Sequence, residues 1–138
     1  DLIMFDNGAN RISLLHIDSE KNIFCRTQDN QVTGVTLGPG ETMLRLTAAA
    51  TPEVRGVCKL TVEPIFKSTA KPDSISAVSD ELAFDTVSFI ATLSPGDFIL
   101  LGPAAYAPQD MTLGSIFFSS PDKSAVLLYL IVCTEVNN

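Results

Sequence analysis

Between residues 57 and 66 the chain alternates, setting Cys58, Leu60 and Val62 against Lys59, Thr61 and Glu63. A period of two over this length predicts a strand with one dry face and one wet face. Residues 43–48 follow the turn signal Gly38-Pro39-Gly40 and predict a second strand. Residues 12–17, after Asp6-Asn7-Gly8, and residues 22–26 predict two more upstream. Over residues 82–93, Val87, Phe89, Ala91 and Leu93 fall on one side and Phe84, Thr86, Ser88 and Ile90 on the other, so one continuous strand is expected there. Residues 97–101 and 124–134 complete the set. Helical spacing is confined to Ile75, Val78 and Leu82, with Ser74 placed to cap them.

The expected fold is all-β. It is a β-sandwich or partly closed barrel of about seven or eight mainly antiparallel strands, with at most one short helix, in a single domain over residues 1–138. Two similar segments, Leu37-Gly38-Pro39-Gly40-Glu41 and Leu93-Ser94-Pro95-Gly96-Asp97, both place Pro-Gly where a type II turn takes φ near −60° and then positive φ. The longest apolar run, residues 125–133, is far shorter than the ~18 residues of a spanning helix. Its length suits a strand buried on both faces or a membrane β-strand. The absence of in-and-out alternation favours a central strand of a soluble core.

Composition narrows the function classes. The 138 residues are 46% hydrophobic and 18% charged, which excludes intrinsic disorder. A net charge of −7 argues against nucleic acid and anionic lipid as partners. The basic residues, from Arg11 through Arg45, Arg55 and Lys71 to Lys123, form no stripe, and there is no Trp for base stacking. Cys25, Cys58 and Cys133 are odd in number and unequally spaced, so they suggest no disulfide framework or zinc knuckle, and at most one bridge can form within the chain. The chain opens at Asp1 without a basic and apolar leader, which reads as a mature or trimmed product, and it carries no Asn-x-Ser/Thr sequon.

Reactive groups are sparse. His16 is the sole histidine and sits in a strand-like stretch without a G-x-S-x-G elbow anywhere in the chain, so it reads as an ordinary surface or half-buried side chain. Residues 34–41 supply glycines without the lysine of a phosphate loop and read as turn formers. Asp80, Glu81 and Asp85 fit no calcium-loop spacing and read as charges on a solvated strand edge. Cys25 has no evident base beside it. No catalytic, metal or cofactor site is expected.

The C-terminal third carries a resemblance. Pro95-Gly96-Asp97-Phe98-Ile99-Leu100-Leu101-Gly102, then Leu113-Gly114-Ser115-Ile116-Phe117-Phe118, then residues 124–136, resemble in order the end of the barrel domain of the bacterial secretin family, where a Gly-led strand ending in glycine is followed by a linker, a Leu-Gly-x-Leu-Phe element and a final apolar strand. Residues 40–48 and 56–64 resemble its paired upstream strands, and the likeness spans about residues 35–136. The segment Pro103-Ala104-Ala105-Tyr106-Ala107-Pro108-Gln109-Asp110-Met111-Thr112 replaces the family's membrane-proximal stretch, so insertion into lipid is not expected.

The resemblance implies a non-enzymatic structural or protein-interaction module in a bacterial envelope or secretion-related assembly, extracytoplasmic, in the periplasm or at the outer membrane. Pro95, Gly96, Gly102, Leu113, Gly114, Ile116 and Phe117 are then its structural motif residues. Its partners are proteins or further copies of itself through strand edges, with Lys59, Glu63, Lys67, Lys71, Asp80, Glu81 and Asp85 available to blunt those edges. The alternative is an independent extracytoplasmic β-sandwich that binds a sugar, peptide or lipid through loops at residues 102–112 or 64–74. A small hydrolase built on His16 with a serine or carboxylate is the third reading.

Overall fold

The computed structural model describes residues 8–27, 29–52, 54–69, 80–104 and 111–136. The strands among them are β1 (Gly8–Ile17), β2 (Lys21–Arg26), β3 (Val32–Leu37), β4 (Gly40–Ala50), β5 (Cys58–Ser68), β6 (Glu81–Ala83), β7 (Phe89–Leu93), β8 (Phe98–Leu101) and β9 (Tyr129–Val132), with one short helix, α1 (Leu113–Phe117). The all-β, antiparallel expectation holds. The main sheet runs β1-β4-β5, with β6 and β7 both on the far side of β5. The β2–β3 hairpin and the β8–β9 ribbon form two further two-stranded sheets, and none of the described sheets closes into a barrel.

The alternation expected over residues 57–66 is present in β5 through Val62, and with the expected strand β4 it sets the core. Leu44 and Leu46 of β4 lie across from Pro64 and Val62 of β5, and Leu44, Leu46, Leu60 and Val62 are buried. β8–β9 covers this end of the sheet, where Leu93 of β7 and Cys133, just after β9, join these four residues in one buried cluster. The β2–β3 hairpin and α1 cover the other end, where Ile17, Ile23, Leu37, Phe66, Phe84 and Phe117 form a second cluster. A bulge at Leu14 in β1 shifts the register between Ser13 and Leu15. That extra residue lets Ile12 and Ile17, of opposite parity, both pack against the core. The fully buried Thr42 hydroxyl donates to the Leu15 carbonyl beside the bulge, at 3.2 Å.

Residues 82–93 are not one strand. Between the pairs Ile65↔Ala83 and Val62↔Phe89, β5 advances three residues and its neighbour six. Pro64 is the cause. Its carbonyl accepts from the Phe84 N–H at 3.0 Å, but proline has no N–H to return on that side, and the neighbour leaves the ladder in a single 3-10 turn, Asp85–Val87. The turn resets the phase, so Phe84 and Leu93, on opposite sides of the expected alternation, are both buried.

Other boundaries also move. β3 was not expected; Gly34, read as a turn former, lies within it opposite Phe24. Gly96 takes φ +94° as the Pro-Gly turn demands. Gly40, its counterpart, begins β4, and a side chain there would run into the Lys67 carbonyl and the Phe66 ring, so it is glycine for close approach. The expected strand over residues 124–134 shrinks to β9. Upstream of it the Asp122 carboxylate accepts from the Ser120 and Ser124 hydroxyls, at 2.6 and 2.7 Å, and closes a turn instead. These bonds hold the carboxyl down at about 2. Residues 74–79 of the expected helix lie outside the described residues, and Leu82 belongs to β6.

Candidate functional site

β8 and β9 pair antiparallel with Phe98 opposite Val132 and Leu100 opposite Leu130. Because side chains alternate across a strand, Ile99, Leu101 and Ile131 turn inward onto the main-sheet cluster. Phe98, Leu100, Leu130 and Val132, with the adjoining Leu128, turn outward and are 49% to 65% exposed. The ribbon is therefore apolar on both faces and covered on one. This corrects the expectation of a central strand buried on both sides: β9 pairs only with β8, and the described chain has no layer outside it. Residues 98–104 and 124–133 contain no charged side chain.

The ribbon is anchored at its turn. The Asp97 N–H donates to the Ser94 carbonyl at 2.9 Å, and the Ser94 N–H to the Asp97 carboxylate at 2.8 Å. Gly96 and Cys133 then join the strands through a 2.7 Å N–H to carbonyl bond. Pro95 and Gly96, of the secretin-like motif, form this turn. Gly102 follows β8, and a side chain on it would press on the tip of the Leu128 side chain.

Beside the ribbon lies an open apolar cleft of about 280 Å³, between the core face of the main sheet at Leu44 and Val62, the end of β8, and α1. Four motif residues line it: Gly102, Leu113, Gly114 and Phe117. Ile116 instead packs against the neighbouring buried cluster. α1 is held in place by a capping box, in which the Ser115 N–H donates to the Thr112 hydroxyl and the Thr112 N–H to the Ser115 hydroxyl. The sequence carries this cap as Thr112-x-x-Ser115, outside the helical spacing expected at residues 75–82. Phe117 is buried edge-on to Phe84, with ring centroids 5.9 Å apart.

The polar candidates are scattered. His16 Nε2 lies 3.1 Å from Asp18 Oδ1, and both side chains are more than half exposed on the rim of β1. Burial pushes the Cys25 thiol up, away from the reactive thiolate. Of Asp80, Glu81 and Asp85, only Glu81 enters an ion network among the described residues. Arg45 reaches Glu63 at 2.6 Å and Glu81 at 2.7 Å, and Arg11 reaches Glu81 at 2.9 Å. Glu63 sits in the interior strand β5, so its charge serves the outer face of the main sheet and not an edge. Among the described residues no group of three or more His, Cys, Asp and Glu side chains is placed to hold a metal. Of the two expected binding loops, residues 64–68 belong to β5, residues 70–74 and 105–110 lie outside the described residues, and Gly102, Pro103 and Ala104 form part of the cleft wall. No described helix is long and apolar enough to cross a membrane. No family model matches the chain, and no curated protein or solved structure matches it either.

Proposed function

We propose that this chain is a self-associating structural module, secretin-like, of a bacterial envelope or secretion-related assembly, and that a second copy docks on the outer face of β8–β9. One observation carries this reading: Phe98, Leu100, Leu128, Leu130 and Val132 form a charge-free apolar face. Together they present on the order of 500 Å² of apolar surface, near the upper end for a monomer and more than half of one partner's share of a standard interface. An isologous contact must be complementary to itself, and a face without charges meets that condition without placing like charges together. The net charge of −7 opposes association at long range, so salt, which screens it, strengthens the contact.

Light scattering across a concentration series tests this. Wild type is expected to reach the mass of a dimer or larger oligomer, more readily at high salt, and Leu130→Asp is expected to weaken association at least tenfold while retaining the fold. A wild type still monomeric at about 1 mM, where even ~4 kcal/mol of association registers, would overturn the proposal.

A second reading is favoured by the cleft itself. Its apolar walls suit one side chain of a peptide or a short acyl segment better than a sugar, and its volume lies just below the ordinary range for small-ligand pockets. An apolar dye bound one to one by a monomer would favour this reading over self-association.

A further inference from the structure

We infer that Cys58 and Cys133 form a disulfide under oxidising conditions, fastening the β8–β9 ribbon to the main sheet. Both are free thiols in this structure, and both pack into the same apolar cluster from opposite layers. Cys58 begins β5, paired with Ala50 on one side and Leu93 on the other. Cys133 follows β9 and is fixed by its N–H bond to the Asp97 carbonyl, at 2.9 Å. Cys25, within β2, packs against the other cluster, so it has no part in the pair. Burial first, then the neighbouring Cys58 and Asp97, push the buried Cys133 thiol up. Cys58 is the more exposed of the two and meets an oxidant first.

The oxidant is a low-molecular-weight disulfide such as oxidised glutathione. The Cys58 thiolate attacks one of its sulfurs and releases one glutathione thiolate, leaving a mixed disulfide. Cys133, deprotonated, then attacks the Cys58 sulfur, and the second glutathione leaves as a thiolate that takes up the proton. One small disulfide is reduced to two thiols, and two protein thiols become one disulfide. The bridge closes most of the chain into a loop and removes conformations from the unfolded ensemble.

Incubation of the folded full-length chain with oxidised glutathione, followed by non-reducing peptide mapping and thiol titration in denaturant, tests this. The expected result is a mass loss of two hydrogen atoms, a peptide linking Cys58 to Cys133, and one remaining thiol, Cys25. The oxidised chain is expected to melt on the order of 10 °C higher. In Cys133→Ser a glutathione adduct on Cys58 is expected to accumulate instead. Three free thiols at equilibrium, a bridge that includes Cys25, a lasting adduct on wild-type Cys58, or a bridge that lowers Tm would each overturn the inference. The test reads thiols and not mass in solution, so its outcome is independent of self-association.

Discussion

Phe117→Ala is expected to lose about 3–5 kcal/mol of folding stability, read as a lower denaturant midpoint at unchanged slope. The ring is buried at the centre of one cluster and meets Phe84 edge to face. Removing it takes away apolar burial and leaves a void that the surrounding backbone cannot fill, because α1 is pinned at Thr112 and Ser115 and β2 is tied to the same segment through the Phe24 N–H to Met111 carbonyl bond. Against a total of roughly 5–15 kcal/mol for a domain, this is a large fraction. The void opens directly into the cleft that Phe117 lines, so the same change enlarges the site. Phe117→Leu, which keeps most of the apolar volume, is expected to lose clearly less. A loss below about 1 kcal/mol for the alanine variant would contradict the placement of the ring.

Arg45→Ala is expected to cost about 2–3 kcal/mol, more than an ordinary surface ion pair. Arg45 sits opposite Glu63 in the register, and its other arm reaches diagonally to Glu81, across the row that holds Met43, Ile65 and Ala83. Ile65 is fully buried on this outer face, where the bridge crosses its row. Alanine at position 45 removes that part of the cover, takes the Arg45 charge from Glu63, and leaves Glu81 one of its two arginine partners, Arg11. The three participants are each about one-fifth to one-quarter exposed, so screening is partial and the loss falls short of a fully buried pair. Adding Glu63→Gln and Glu81→Gln to Arg45→Ala is expected to recover part of the loss, because neutral amides need no counter-charge. A loss under about 0.5 kcal/mol for the single variant would show that the network acts only as a surface pair.

These two sites differ in how far the sequence alone reveals them. β5 is legible because Cys58, Leu60 and Val62 alternate with Lys59, Thr61 and Glu63, and β4 because the Gly38-Pro39-Gly40 signal leads into it. The break after β6 is not, since its cause, Pro64, lies on the neighbouring strand and acts only once the register is known. β3 escapes notice because Gly34 reads as punctuation, when it lies inside the strand opposite Phe24. α1 spans barely more than one turn, too short to show a helical period, although its capping residues are written in the chain. Arg11, Arg45, Glu63 and Glu81 come from four strands, and only the sheet order brings them together. For the candidate site, the apolar run at residues 125–133 is plain, but which of its faces is covered depends on how many layers the fold builds. No single strand carries that information.

Amide hydrogen exchange of the wild-type chain at low and high concentration tests most directly the proposed docking of a second copy on the outer face of β8–β9. Docking is expected to slow exchange with rising concentration at Phe98–Leu101 and Tyr129–Val132, while β1 and β2 exchange unchanged. Exchange in the ribbon that is independent of concentration, or protection that appears along β1 or β2 instead, would contradict it.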